Sequence, residues 1–210
     1  LREDPQSVEA KSHKALALAR NKEYDKALAL YEELSKEHPE KEELLFNMAD
    51  VMKWKEDFSG AQAAYQKALE KMPQKVEVLA GLADVLNRQG EYQHAIKICD
   101  RGLAIDNGNA ELWVTRAWAW TWLHDYDKAL KDVDQALKNA PDLIAARELL
   151  EKIPRLKAEQ LLKEADQALS VQDFAKAIKQ YDEILTNDLG NVLARSHKAL
   201  AFARSGKYDE

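Results

Sequence analysis

Few residues in this 210-residue chain are of a type and spacing that could do covalent chemistry. The five histidines, His13, His38, His94, His124 and His197, are scattered. None has a His or Cys partner three or four residues away, the step that places two ligands on one helical face, so the sequence predicts no metal centre. Cys99 is the single cysteine and cannot form an internal disulfide; that fits a reducing cytosol and does not exclude the periplasm. No glycine-rich phosphate cradle of the GxGxxG or GxxxxGK[ST] kind occurs, and the seven glycines fall singly. A catalytic reading would have to rest on carboxylates such as Asp50 and Asp84, which any charged helical array carries. The expectation is therefore no catalytic residue, no metal and no cofactor.

Aromatic and guanidinium groups are more particular. The series Arg20, Trp54, Arg88, Trp122 advances by 34 residues at each step. Such an alternation suits mutual cation–π contact, worth about 0.5–1 kcal/mol per exposed pair, or presents both groups to a ligand. Phe46 lies two helical turns before Trp54. Trp113 and Trp120 share one side of a helix, whereas Val114, Trp118 and Trp122 share another. Tryptophan and arginine are the side chains most enriched at binding hot spots.

The elements that must position these groups follow from the same step of 34. Pro39 and Pro73 are 34 apart and Pro141 lies 68 further on; Tyr24 with Ala27, Phe58 with Ala61, Tyr92 with Ala95 and Tyr126 with Ala129 keep the register. Four uninterrupted units result, over 8–41, 42–75, 76–109 and 110–143. Within each, apolar residues recur at helical spacing in two blocks separated by a short turn, so each unit reads as a helix hairpin. Alanines at fixed positions, Ala15, Ala49, Ala83 and Ala117 with Ala27, Ala61, Ala95 and Ala129, allow the paired backbones to approach closely. The spacing predicts helices near 8–20, 24–37, 42–54, 58–71, 76–88, 92–105, 110–123, 126–139, 143–153, 156–171, 174–187 and 192–205, an all-α fold. After Leu143 the register breaks. Phe174 and Ala177 restore it in a fifth unit at 158–191, leaving 144–157 as an inserted solitary helix or linker that ends at Ile153-Pro154, because proline disfavours helix at the preceding residue. A proline-kinked helix running on into Ala158 is the alternative. A sixth unit starts at Val192 and stops at Tyr208-Asp209-Glu210, where its second helix should begin, so 158–210 is read as a fifth unit plus a truncated sixth. A hairpin lacking its second helix would expose Leu193, Ala199, Leu200 and Phe202 and invite self-association.

This pattern resembles the tetratricopeptide repeat (TPR) family, whose 34-residue consensus runs Trp, Leu-Gly, Tyr, Ala, Phe, Ala, Pro. The fourth unit shows it most fully, with Trp113, Arg116-Ala117, Trp120, Tyr126, Ala129, Val133, Ala136 and Pro141. The resemblance implies a right-handed superhelical solenoid of helix hairpins, with one extra helix after the fourth repeat and a concave groove lined by first helices. It places Trp113 and Trp120 in the hairpin core and Trp118 and Trp122 on the groove side, and it puts Cys99 where the family carries a large apolar residue, hence buried. It also implies a function: a non-catalytic scaffold whose groove, bearing Arg20, Phe46, Lys53, Trp54, Asp84, Arg88, Trp118 and Trp122, binds a protein or peptide segment. Relatives that grip the carboxylate end of heat-shock chaperones use a clamp of Lys and Asn; the matching positions here, Ser12, Leu16, Asn47, Glu77 and Gly81, keep only Asn47. Asp50, Asp84 and the row Glu9, Glu43, Glu77, Glu111 and Glu159 would also repel an anionic peptide, although glutamate in a first helical turn is favoured by the helix dipole alone. Repeats with Trp just before the turn also look similar to those of bacterial polysaccharide-export and outer-membrane proteins. The alternative function is thus a periplasmic module guiding a sugar polymer or assembling such machinery, with a spacer rod as a third reading.

Composition agrees with these classes. The net charge of −6 offers no field for a phosphate backbone, so nucleic acid is not an expected partner. Charged residues interrupt every apolar run well short of a membrane span, predicting a soluble chain, cytoplasmic or periplasmic.

Overall fold

The computed structural model describes residues 7–206, and among them eleven α-helices and no strand. Helices α1 (Val8–Arg20) and α2 (Tyr24–Glu37), α3 (Glu43–Trp54) and α4 (Phe58–Lys71), α5 (Val76–Arg88) and α6 (Tyr92–Ile105), and α7 (Ala110–Trp122) and α8 (Tyr126–Asn139) form four successive hairpins. They are followed by α9 (Ile144–Ser170), α10 (Phe174–Asn187) and α11 (Val192–Ser205). The chain divides into two compact units between Arg147 and Glu148.

Local chemistry explains where the helices start. Ser7, Asp57, Asn109, Asp125, Asp173 and Asn191 each accept a hydrogen bond from the backbone N–H three residues on, satisfying a donor that the first turn cannot. After each first helix the chain reverses through one left-handed residue at the same repeat position: Lys22, Glu56, Gly90, His124, Gln172 and Gly206, with φ from 60° to 80°. Only two of these six are glycine, the residue that adopts this conformation without steric cost.

In the first unit the eight repeat alanines are fully buried, and larger side chains such as Tyr31, Leu34, Tyr65, Val85, Leu112 and Val133 fill the space they leave. The first helices touch along the series α1, α3, α5, α7, while among the described residues the second helices α2, α4, α6 and α8 do not touch one another. The first helices therefore lie on the inner side of the curve. In the second unit Ala165, Ala168, Ala177, Tyr181, Ile184, Ala194 and Ala201 form a separate core.

One expectation needs correction. The solitary helix or linker at 144–157, with helices near 143–153 and 156–171, is instead a single helix of 27 residues that carries Pro154 inside it. Proline removes one backbone hydrogen bond and crowds the preceding turn, at a cost of about 3 kcal/mol. Here Pro154 is exposed while Ala146, Leu149 and Ile153, on a side of the helix turned away from it, are fully buried, and that burial outweighs the lost bond. The continuous, proline-bearing alternative is the one found. The stop of the sixth repeat at Tyr208-Asp209-Glu210 lies outside the described residues.

Candidate functional site

The inner face of the first unit is cut by a cavity of about 540 Å³ between α3, α5 and α7. Phe46, Val114 and Trp118 supply apolar surface, and Asp50, Lys53 and Asp84 supply charge. These residues converge because helical positions a turn or two apart share one face, and the repeat brings that face of each first helix to the inside. Tyr65, wholly buried on α4, donates its hydroxyl to Asp50 Oδ1 at 2.5 Å. Burial, reinforced by the Asp50 carboxylate, pushes the phenol pKa far above its usual range. Lys53 Nζ is shared between Asp50 (3.4 Å) and Asp84 (3.7 Å), and Arg88 Nε reaches Asp84 at 3.3 Å. Gly81 admits this arrangement: a Cβ there would stand 2.5 Å from the Tyr65 ring and 2.6 Å from its hydroxyl.

A second cavity of about 440 Å³ adjoins it, sharing Asp84 and Trp118 and adding Arg88, Tyr92 and Trp122. Trp122 is 57% exposed and stacks on Tyr92, with ring centroids 5.9 Å apart and an interplanar angle of 6°. Between the cavities Asn87 donates to the Thr115 carbonyl at 2.7 Å, tying α5 to α7.

Of the eight residues singled out from sequence, Phe46, Lys53, Asp84, Arg88, Trp118 and Trp122 thus line two adjoining cavities. Arg20 lines a different one, with His13, Leu16, Ala17 and Asn21, and Trp54, 40% exposed, lines none of the three. Of the two uses open to the Arg/Trp series, mutual contact is not what Arg88 and Trp122 make: Arg88 lies over Phe58 at 5.8 Å and Trp122 over Tyr92. Long side chains at the ends of first helices meet the adjacent second helix before they can span a whole repeat.

Trp113 and Trp120 pack against the core, as expected, but from its edge. Both are only partly buried, and each carries a cation on its ring. The Arg116 guanidinium sits 4.6 Å over Trp113, whose Nε1 donates to the Asn107 carbonyl at 2.8 Å. Lys128 Nζ sits 4.3 Å over Trp120. Arg116 forks onto Asp132 with two bonds of 2.7 Å; burial opposes its charge, but the Asp132 and Asp100 carboxylates outweigh that and hold its pKa up. Cys99 is fully buried, and burial pushes its thiol up to about 12, so it stays protonated and unreactive near neutrality.

Sequence reasoning did not bring Val114, Thr115 and Tyr92 to the cavities as lining residues. For Val114 the signal was present, since it shares a helical side with Trp118. In the sequence Tyr92 marks the repeat register; its stacking on Trp122 crosses from one hairpin to the next and leaves no trace in local spacing.

Two family profiles, each described as tetratricopeptide repeat, match the chain, one over residues 55–107 and 86–153 and the other over 1–42 and 162–210. The chain belongs to the tetratricopeptide repeat family, a class of repeat modules that commonly mediate protein–protein interaction rather than catalysis. Among solved structures it is similar to a thermophilic TPR protein of Thermus thermophilus, at 21% identity with a TM-score of 0.58, covering 94% of this chain and 100% of that one. A tetratricopeptide repeat protein of Parabacteroides merdae is similar at 16% identity and a TM-score of 0.62, covering 96% and 75%. The second TPR domain of human RPAP3, solved in complex with the HSP70 peptide SGPTIEEVD, matches at 19% identity and a TM-score of 0.50 over 52% of this chain and 91% of that one. No curated protein matches the sequence. Among the described residues no helix is long and apolar enough to cross a membrane, and no group of three His, Cys, Asp or Glu side chains is placed to hold a metal ion.

Proposed function

We propose that this chain is a non-catalytic interaction module in which the inner groove of the first four repeats captures a segment of another protein. The observation that supports this reading best is the 540 Å³ cavity, where Phe46, Val114 and Trp118 form an apolar wall and charged side chains flank it. Stacked hairpins hold such a wall with little ordering cost on binding. The deciding variant is Trp118→Ala with Trp122→Ala. If both indoles serve binding, the fold keeps most of its melting temperature while affinity for peptides selected from a random display library falls at least about tenfold, roughly 1.4 kcal/mol. If they serve packing, stability falls by about 3 kcal/mol or more per buried indole and binding persists.

One observation favours a second reading, a sugar-polymer guide: the exposed Trp122 ring stacked on Tyr92 stands beside Asp84, Asn87 and Arg88, a flat apolar face next to hydroxyl-binding groups. Titration with chitin and cellulose oligosaccharides, followed by indole fluorescence, separates the two. Quenching that vanishes in Trp122→Ala supports the sugar reading; a flat titration removes it.

A further inference from the structure

Helix α7 shows twice what an indole beside a carboxylate does in this chain. Arg116 lies between the Trp113 ring, at 4.6 Å, and the carboxylates of Asp132 and Asp100, at 2.7 and 2.5 Å. Lys128 lies between the Trp120 ring, at 4.3 Å, and Asp125, at 2.7 Å. In both places the negative face of the ring and a carboxylate act on the same cation.

On the groove side an indole and carboxylates also line one cavity, Trp118 and Glu111 from α7 and Asp84 from α5. The wall carries four carboxylates, Asp50, Glu77, Asp84 and Glu111, against the single ammonium of Lys53. Neighbouring cations offset part of this: Lys75 reaches Glu77 at 3.6 Å, and Arg88 and Lys53 divide Asp84. Glu111 has no ion pair among the described residues and stands in the first turn of α7, where the helix N-terminus offsets part of its charge, so the cavity wall keeps an excess of carboxylate.

Resting on the groove reading above, we propose that the captured segment is basic. It presents a Lys or Arg to the carboxylates that line the cavity, Asp84 and Glu111 among them, with an adjacent apolar side chain on Phe46 and Val114. An acidic segment, such as the one bound by the human RPAP3 domain, would meet repulsion from every carboxylate in the wall and from the faces of the rings.

The test is selection of random twelve-residue peptides on the full chain, with parallel selection on the Trp118→Ala, Trp122→Ala variant and thermal melts to show that it folds. The expected result is enrichment of Lys and Arg beside one apolar residue, lost on the double variant. Binding of the resulting peptides then weakens with added salt, with Arg replaced by citrulline, and by about fivefold or more in Glu111→Gln and in Asp84→Asn. Peptides that depend on Trp118 but carry no excess of Lys or Arg, or that are indifferent to Glu111→Gln and Asp84→Asn, overturn the basic-segment proposal and leave the groove reading standing. Failure to enrich any sequence in a Trp118-dependent way overturns the groove reading and the proposal with it.

Discussion

Each of the two compact units buries a tyrosine at the same repeat position and has it donate to an aspartate fifteen residues earlier. In the first unit Tyr65 donates to Asp50 at 2.5 Å, and in the second Tyr181 donates to Asp166 at 2.6 Å. What stands above the pair differs. In the first unit the equivalent position on the next first helix is Gly81, whose backbone comes so close to Tyr65 that no Cβ fits, and Asp50 faces an open cavity. In the second unit that position is His197, whose Nδ1 lies 2.7 Å from Asp166 and whose ring meets Tyr181 edge-on with centroids 6.1 Å apart. One side chain at one repeat position therefore separates an aspartate that borders a groove from an aspartate engaged by imidazole. The lesson is that a repeat can keep its core fixed while adjusting its inner surface through the residue that approaches that core from the following unit.

The comparison breaks most severely at the tyrosines. Tyr65→Ala and Tyr181→Ala each remove a fully buried ring, and each is expected to cost about 3–5 kcal/mol in denaturant unfolding. Hydrogen exchange should rise around the altered hairpin first, because solenoid stability is summed from neighbours. A uniform rise along the whole chain contradicts that.

Gly81→Ala comes next. The added methyl forces the Tyr65 ring aside, with an expected loss of about 1–3 kcal/mol, whereas His197→Ala should cost no comparable amount because its imidazole is partly exposed. Equal losses for the two would mean that the glycine and the histidine play the same part.

A smaller effect sharpens the comparison from a third hairpin, where Cys99 occupies the slot of these tyrosines. Its thiol is raised from 9.0 to about 12 by burial, so the folded chain holds the proton that the unfolded chain releases first. The stabilising contribution is complete below pH 9 and is lost as the pH rises toward 12. Cys99→Val should flatten that part of the alkaline decline in melting temperature while leaving the curve below about pH 8 parallel to that of the parent. The decline due to Tyr65 and Tyr181, whose phenols burial also raises, should persist.

The helices were legible in the sequence because their register repeats. An apolar position confirmed four times over fixes boundaries such as Phe58–Lys71 and Tyr126–Asn139. Pro154 was not legible in the same way. Its local preference says stop, and only the burial of Ile153 and Leu149 shows why the helix continues. Helical faces and the repeat step say only which residues share a side; that Phe46, Lys53, Asp84 and Trp118 belong to one groove is what the family resemblance implies. The partners of Arg88, Trp113, Trp120 and Trp122 follow from neither, since each contact depends on side-chain lengths and reach that no periodicity encodes.

The left-handed turn residues carry a further consequence for how this chain can be adjusted. Lys22, Glu56 and Gln172 are exposed and have side chains at a backbone conformation that costs a non-glycine residue about 1–2 kcal/mol, a cost partly set against the greater chain entropy that glycine would have to lose on folding. The same turn is made by glycine at Gly90 and Gly206, so the fold accepts it there. Thermal tolerance can thus be graded hairpin by hairpin by choosing glycine or a side chain at a single turn position in each. Successive exchanges at these solvent-facing corners, each in its own hairpin, should act almost independently, giving a lineage or an engineer a set of small, separable steps in heat resistance.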